Sequence, residues 1–502
     1  MKSGWFLCIS LFVIGCGQRH SPAINAEALA QAHCGSCHAF PEPDLLDKNS
    51  WQEYVLPRMG FMLGFYADSS ERVELFEAGE AGRKLRDSQL FPAQPKISPA
   101  HWEAIQTYFL SNAPTELSRE KSIPILDRLP HFQFRVPDHF LSPPSSTLVQ
   151  FTTEGDILIG DAQSGRMHYF DAHLSLRQTA NTREGLVHVQ EEADQWFMTV
   201  MGSFSPTDQA KGMLFSLPRT KEGKPEILIQ ALQRPVHAAY ADFDEDGQSE
   251  IVICEFGKWT GRLGIWDNRE PGNWTVKVLR DQAGATRTEI VDLDQDGDLD
   301  IVALFGQGDE GIFYFQNDGQ GNFLEKRLLR FPPSWGSSYF TLLDWNQDGA
   351  LDILYTCGDN ADFKPILKPY HGIRLFLNDG QHQFSEHFFL PQNGAYKAIA
   401  QDFDQDGDLD IAAISFFPDF STGAKEGFLY WRNDGQDTFT AHSFPQVELG
   451  RWISMDAADW DQDGDMDLVL GSLAFEVVPK SNHVEKWVKN GLAFLVLENQ
   501  IR

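Results

Sequence analysis

A mainly β fold is predicted for this chain: a seven-bladed propeller (six or eight blades remain open) behind a small all-α unit. Three observations predict it. An acidic nonapeptide recurs five times, each copy running into an apolar β-type segment. Three copies are followed by an Asn-Asp-Gly turn. Ahead of the repeats, Cys34-Gly35-Ser36-Cys37-His38 lies in a stretch with helical periodicity.

The nonapeptide carries oxygen side chains at positions 1, 3, 5 and 9. These are Asp242, Asp244, Asp246 and Glu250, then Asp292, Asp294, Asp296 and Asp300, then Asp344, Asn346, Asp348 and Asp352. The last two copies place Asp402, Asp404, Asp406 and Asp410, then Asp459, Asp461, Asp463 and Asp467. Their starts are 50, 52, 58 and 57 residues apart, a period that signals a propeller or solenoid. With a backbone carbonyl at position 7, the oxygens converge on one hard cation, and glycine at position 6 permits the sharp turn. Calcium suits such a cage; magnesium demands tighter octahedral geometry. An EF-hand is excluded, because position 12 is Ile253, Ala303, Tyr355, Ala413 or Leu470 instead of glutamate.

The turns are Asn317-Asp318-Gly319, Asn378-Asp379-Gly380 and Asn433-Asp434-Gly435, followed by Phe323, Phe384 and Phe439. Asn-Gly and Asp-Gly turns between apolar runs signal hairpins. One repeat is therefore strand, acidic loop, strand, long connection, strand, turn, strand, which makes a four-stranded blade. Loops and hairpins together resemble FG-GAP/VCBS repeats, the propeller units also found in the integrin α-chain head. The resemblance covers residues 237–499 and implies about five calcium ions. Two blades without acidic loops fit at 147–183 and 185–235. The alternating segment 132–136 is expected to supply the outer strand missing after 493–499, closing the ring and removing an open edge.

The all-α unit is expected at 26–116, with helices at 27–33, 50–56 (stopped by Pro57) and 98–111. A linker at 117–130 leads to the propeller at 131–502. Two thiols in C-x-x-C-H can each add to a vinyl group of one haem, placing the imidazole of His38 beneath the iron. The unit resembles small cytochromes c, whose terminal helix closes over the amino-terminal one. For a low-spin carrier the resemblance implies a thioether as sixth ligand. Met59, just past the Pro57 stop, is favoured, with Met62 and His101 as alternatives.

Residues 1–15 read as a signal peptide, too short in its apolar run to span a bilayer. Val13-Ile14-Gly15-Cys16 resembles the bacterial lipobox, which implies lipidation of Cys16 and a tether over 16–25 in the cell envelope. Membrane attachment is then by acyl chains only. Cys254 and Cys357 stand at nearly equivalent points of non-adjacent repeats, so buried thiols are expected and a disulfide is not. Formal net charge is −31. Loss of Lys2 makes it −32, and ten positive charges from five calcium ions leave about −22. That balance argues against nucleic acid and anionic lipid as partners.

Five residues before each first loop aspartate stand His237, Arg287, Tyr339, Lys397 and Ser454, expected to ring one mouth of the channel. They either line it merely as wet residues or bind a small molecule or carbohydrate (a carboxylate or a sugar) or a partner loop. The within-blade insertion from Gly358 to Gly372 is expected to overhang that region or to dock the helical unit. Two functional expectations follow. The first is a lipid-anchored, single-haem electron-transfer protein with a calcium-stabilised docking propeller and a redox partner protein. The second is a propeller that oxidises a small molecule or sugar and passes electrons to the haem.

Overall fold

The computed structural model describes residues 25–118, 123–219, 224–270, 272–362, 364–474 and 483–501. The expected signal segment 1–15 and Cys16 lie outside them. Among the described residues no helix is long and apolar enough to cross a membrane.

Seven antiparallel sheets make the blades of a propeller. Blade 1 spans residues 146–181, blade 2 186–232, blade 3 235–280, blade 4 285–330 and blade 5 337–391. Blade 6 spans 395–442 and blade 7 runs from 452 to 499. In each, strands A to D run in chain order from the axis outwards. Blade 7 takes its D strand from Phe132–Arg135, which pairs antiparallel with Phe494–Asn499 in the register Phe132↔Asn499 to Arg135↔Val496. The expected closure is therefore present. Phe132 packs edge-on against Phe403 and Tyr430, with ring centroids 5.8 and 5.7 Å away. Within the expected linker, Ile125–Leu126 adds a fifth strand, parallel to Phe439–His442, on the outside of blade 6.

The B strands of blades 3 to 7 are buried along their whole length. Each follows directly from motif position 9, and its apolar run faces a neighbouring blade on both sides. Val252 and Cys254 of blade 3, for example, share one cluster with Ile301, Ala303 and Phe313 of blade 4. Each large apolar side chain so buried contributes about 1.5–3 kcal/mol, so the core lies between blades. Cys254 and Cys357 are free and fully buried, as expected.

The amino-terminal segment is helical. Asn25 caps Ala26–Cys34 by accepting from the backbone N–H of Ala28, and Ser98 caps Pro99–Asn112 by accepting from that of His101. The two helices pack through Ala30, Cys34, Trp102, Ile105 and Phe109. The expected stop at Pro57 does not occur. Helix Lys48–Ser50 widens into a π segment, Trp51–Val55, and continues as Leu56–Met62 with Pro57 in its first turn. The wider π turn, in which the Leu56 N–H reaches back to the Trp51 carbonyl, accommodates the proline inside a continuing helix. Met59 consequently sits on a helix and not in a loop.

The helical unit rests on the B–C and D–A connections of blades 2, 3 and 5. Tyr370 Oη donates to the Leu45 carbonyl at 2.8 Å, and Arg58 Nη2 to the Asp362 carbonyl at 2.7 Å. Lys84 Nζ donates to Gln233 Oε1 at 2.7 Å, and Thr207 Oγ1 to Glu77 Oε2 at 2.6 Å. Phe91 meets Trp259 edge-on at 5.1 Å, and Ile366 packs on the helical core. The insertion between Gly358 and Gly372 thus docks the helical unit. The acidic loops join strands A and B, so they lie on the opposite face.

Candidate functional site

Four acidic loops share one construction: position 1 receives the backbone N–H groups of positions 5 and 6, as when Asp296 and Gly297 donate to Asp292 at 3.1 and 2.9 Å. In the fifth, Asp463 N donates to Asp461 Oδ1 at 3.3 Å. Gly297 has φ 102°, a left-handed conformation that favours glycine. Side-chain oxygens converge at four loops: Asp242, Asp244 and Asp246; Asp292, Asp294 and Asp300; Asp402, Asp404 and Asp410; Asp459, Asp461 and Asp463. Within each group the oxygens lie within 4.8 Å of one another. That is the spread of ligands shared by one calcium ion at about 2.4 Å, so these all-oxygen donor sets fit such a cation. The third loop places Asp344, Asn346, Asp348 and Asp352 in the same hydrogen-bonded turn, with Asp348 and Gly349 donating to Asp344. In blade 3, Arg269 pairs with Asp244, lies 3.5 Å from Asp246 and 3.1 Å from Asp267, and so already supplies one positive charge.

Position 9 has a second task. Asp467 Oδ2 accepts from Trp460 N at 3.0 Å and its Oδ1 from Asn499 N at 2.7 Å. Asp300 does the same for Leu293 and Asn317, and Asp352 for Trp345 and Asn378. This fully buried carboxylate therefore ties the loop to strand C. The partner asparagines close strand C; Asn317 and Asn378 were read in the sequence only as turn residues, and Asn499 only as a strand end. Asn317 Nδ2 also reaches the Phe243 carbonyl of the preceding blade at 2.8 Å, and Asn499 Nδ2 that of Phe403. Recurrence of asparagine as the last residue of the third strand, at Asn317, Asn378, Asn433 and Asn499, was the available signal. Burial, with neighbouring aspartates adding to it, raises the carboxyl groups of Asp410 to about 6 and Asp467 to about 7.

The C-x-x-C-H segment begins at the end of helix Ala26–Cys34. Cys34 is buried and Cys37 exposed, both as free thiols. Burial, and secondarily Cys37, raises the Cys34 thiol to about 11. His38 is buried, and its Nδ1 lies 2.8 Å from the Ala39 carbonyl. A proton on Nδ1 donated to that carbonyl leaves the Nε2 lone pair for a metal, the usual arrangement of an imidazole ligand. The donor set thus fits a haem held by two thioethers and one imidazole. Met59 packs on the same apolar cluster that contains Cys34, whereas Met62 and His101 are half-buried outside it.

The ring expected on the A strands is assembled. His188 of blade 2 joins it, at a register marked by the same bulge that precedes His237. The two imidazoles lie 4.4 Å apart, Arg287 stacks on Tyr339 at 4.6 Å, and Lys397 Nζ lies 5.1 Å from the same ring. His188 was missed because its blade carries no acidic loop to set the count. Ser454 occupies the equivalent place in blade 7.

A model of the FG-GAP-like repeat matches residues 242–303, 292–355 and 402–470. The chain therefore carries FG-GAP-like repeats in a seven-bladed propeller. No curated protein matches the chain. Among solved structures, it is similar to virginiamycin B lyase from Staphylococcus aureus at 10% identity and TM-score 0.45, covering 73% of this chain and 99% of that one. It is similar to the N-terminal domain of Nup159 at 11% identity and TM-score 0.42, covering 76% and 98%. An Agrocybe aegerita lectin that recognises non-reducing terminal N-acetylglucosamine is similar at 15% identity and TM-score 0.35, covering 72% and 97%. The blade count rests on the strand pairing and not on these likenesses.

Proposed function

We propose that this chain is an exported, lipid-anchored, single-haem electron-transfer protein whose calcium-loaded propeller fixes the haem unit and presents it to a redox partner. The observation that carries this reading is Cys34-x-x-Cys37-His38 with Nδ1 of His38 against a carbonyl, which leaves one imidazole nitrogen for iron. Cys34 and Cys37 would hold the macrocycle, and His38 and Met59 would ligate its iron. When bound, the haem supplies a one-electron couple. The helices at 26–34 and 99–112, packed through Trp102, Ile105 and Phe109, would shield it from water. The contacts of Glu77, Lys84 and Tyr370 keep the unit at a fixed place on the propeller. Calcium would be held by the aspartates of the five loops, neutralising their mutual repulsion. Cys16 would carry the lipid that keeps the protein at the cell envelope.

The reading is tested by expressing the chain in a host that builds c-type haem and purifying the mature protein. The expected product retains Soret absorption after denaturation and gains the mass of one haem. Met59→Ala should remove the sulfur-to-iron band of the oxidised spectrum; if Met62→Ala removes it instead, the sixth ligand is Met62. A mature protein with neither added mass nor Soret absorption overturns the reading. Haem reduction on adding sugar and a quinone cofactor would place catalysis in the propeller.

A further inference from the structure

Residues of the axial ring are not used by any of these roles. Arg287 lies on an innermost strand, yet its side chain is 27% exposed, and His188, Tyr339 and Lys397 are likewise half-buried. The axis is therefore a channel open to water. At the helical-unit face, Phe204 of blade 2 packs with Phe416 and Phe417 of blade 6 and Ile453 of blade 7. Those blades are not neighbours of blade 2 in the ring, so the contact crosses the axis and roofs the channel above the polar ring.

Beneath the roof, buried hydrogen-bonding atoms lack partners. His188 Nδ1 and Arg287 Nε have none among the described residues. His237 Nδ1 accepts from the backbone N–H of Thr288 at 3.4 Å, which directs a proton to Nε2. Burial, with Arg287 and Lys397 adding to it, holds both imidazoles neutral, so they offer N–H donors without charge. The acidic groups facing the ring are Glu289 and Asp456, one pleat further along. Glu289 accepts from Arg287 Nη2 at 3.2 Å and from Leu342 N at 3.3 Å; Asp456 accepts from Phe151 N at 2.9 Å. Lys397 Nζ donates to the Met455 carbonyl at 2.7 Å and keeps further N–H capacity.

We propose that the roofed channel is a binding site for a small carboxylate monoanion, held by Arg287 and Lys397 with His188, His237 and Tyr339 around it. A carboxylate has two coplanar acceptor oxygens, each able to take an N–H, and Arg287 Nε and His188 Nδ1 are the unpartnered ring atoms available to it. Glu289, ion-paired with Arg287, and Asp456 balance the two cations, so directed N–H groups and not excess positive charge would hold a monoanion, and a dianion is disfavoured. The A strands run from the roof to the acidic-loop face, and the ligand enters from there. The site is independent of haem.

The test uses the full mature chain, calcium-loaded and with histidines isotopically labelled, titrated with sodium formate and sodium acetate. The ring signals of His188 and His237 should shift saturably, while methyl glucoside leaves them unmoved. Arg287→Gln and Lys397→Gln should each weaken formate binding about tenfold or more, with the melting temperature retained. Should either variant fail to fold, His188→Gln, which alters no charge, should still weaken binding measurably. Absence of a saturable shift in the unaltered protein overturns the proposal, and so does equal affinity in all folded variants. Neither result bears on whether haem is attached.

Discussion

Blades 1 and 2 make the same A-to-B join as blades 3 to 7, by a different route. In blade 1 the join is a short turn: Thr152 N donates to the Asp156 carbonyl at 2.8 Å, Gly155 N to the Thr152 carbonyl at 3.0 Å, and Asp156 N to Thr152 Oγ1 at 3.1 Å. Blade 2 does it with Glu192 N on the Gln195 carbonyl at 2.9 Å. These turns are complete in themselves. Blades 3 to 7 instead gather three to five carboxylates in one loop, an arrangement that repels itself until a cation arrives. If calcium binds as proposed, the same ring contains two self-sufficient blades and five whose stability would be linked to ion concentration.

Chelation gives the largest expected effect. Each site held at ~100 times its dissociation constant contributes about 2.7 kcal/mol, so removing calcium should lower the melting temperature markedly. Hydrogen exchange should speed at the A–B joins of blades 3 to 7 while blades 1 and 2 keep their protection. Loss of protection in all seven together would break the distinction.

Next in size is the buried strut. In metal-free protein, Asp467→Ala leaves two buried N–H groups unpaired and should cost about 3 kcal/mol; Asp463→Ala, on the exposed side of the loop, should cost less than about 1 kcal/mol. Equal costs in denaturant unfolding would show that position 9 is only a ligand. The pH dependence follows from the same groups. With its carboxyl raised to about 7 by burial, Asp467 binds a proton in the folded state where the unfolded chain, with an ordinary value of about 4, does not. Metal-free stability should therefore fall as pH rises from about 4 to about 7. Calcium should abolish that slope; its persistence in the loaded protein would tell against ion binding there.

The smallest of these effects concerns the seam between the two kinds of blade. Phe132→Ala removes a half-buried ring from the closing strand and should cost about 2 kcal/mol, measured by unfolding with calcium present. A cost near zero would mean the seam is held by backbone pairing alone.

Blades 3 to 7 were legible because one acidic motif repeats and sets the phase of every strand after it. Blade 1 was legible without a metal motif, its four strands running from 146 to 181 against the expected 147–183. The strand Ile125–Leu126 was not, since two residues carry no periodicity. Pro57 misled because a π turn two residues upstream changed which N–H groups the helix needed. The dual use of Asp467 and Asn499, and the seat of the helical unit on blades 2, 3 and 5, depend on contacts between distant parts of the chain that no local pattern announces.

Arg135 and Glu498 pair across 363 residues of sequence. At about 5–20 residues per second, a ribosome takes roughly 20 to 70 s to make the partner of a strand it has already released. Throughout that interval Phe132 and Phe134 have no blade to join, and an unpaired apolar edge invites association with other nascent chains. Production of this protein should accordingly depend on a holding chaperone far more than its finished, edge-free ring would suggest.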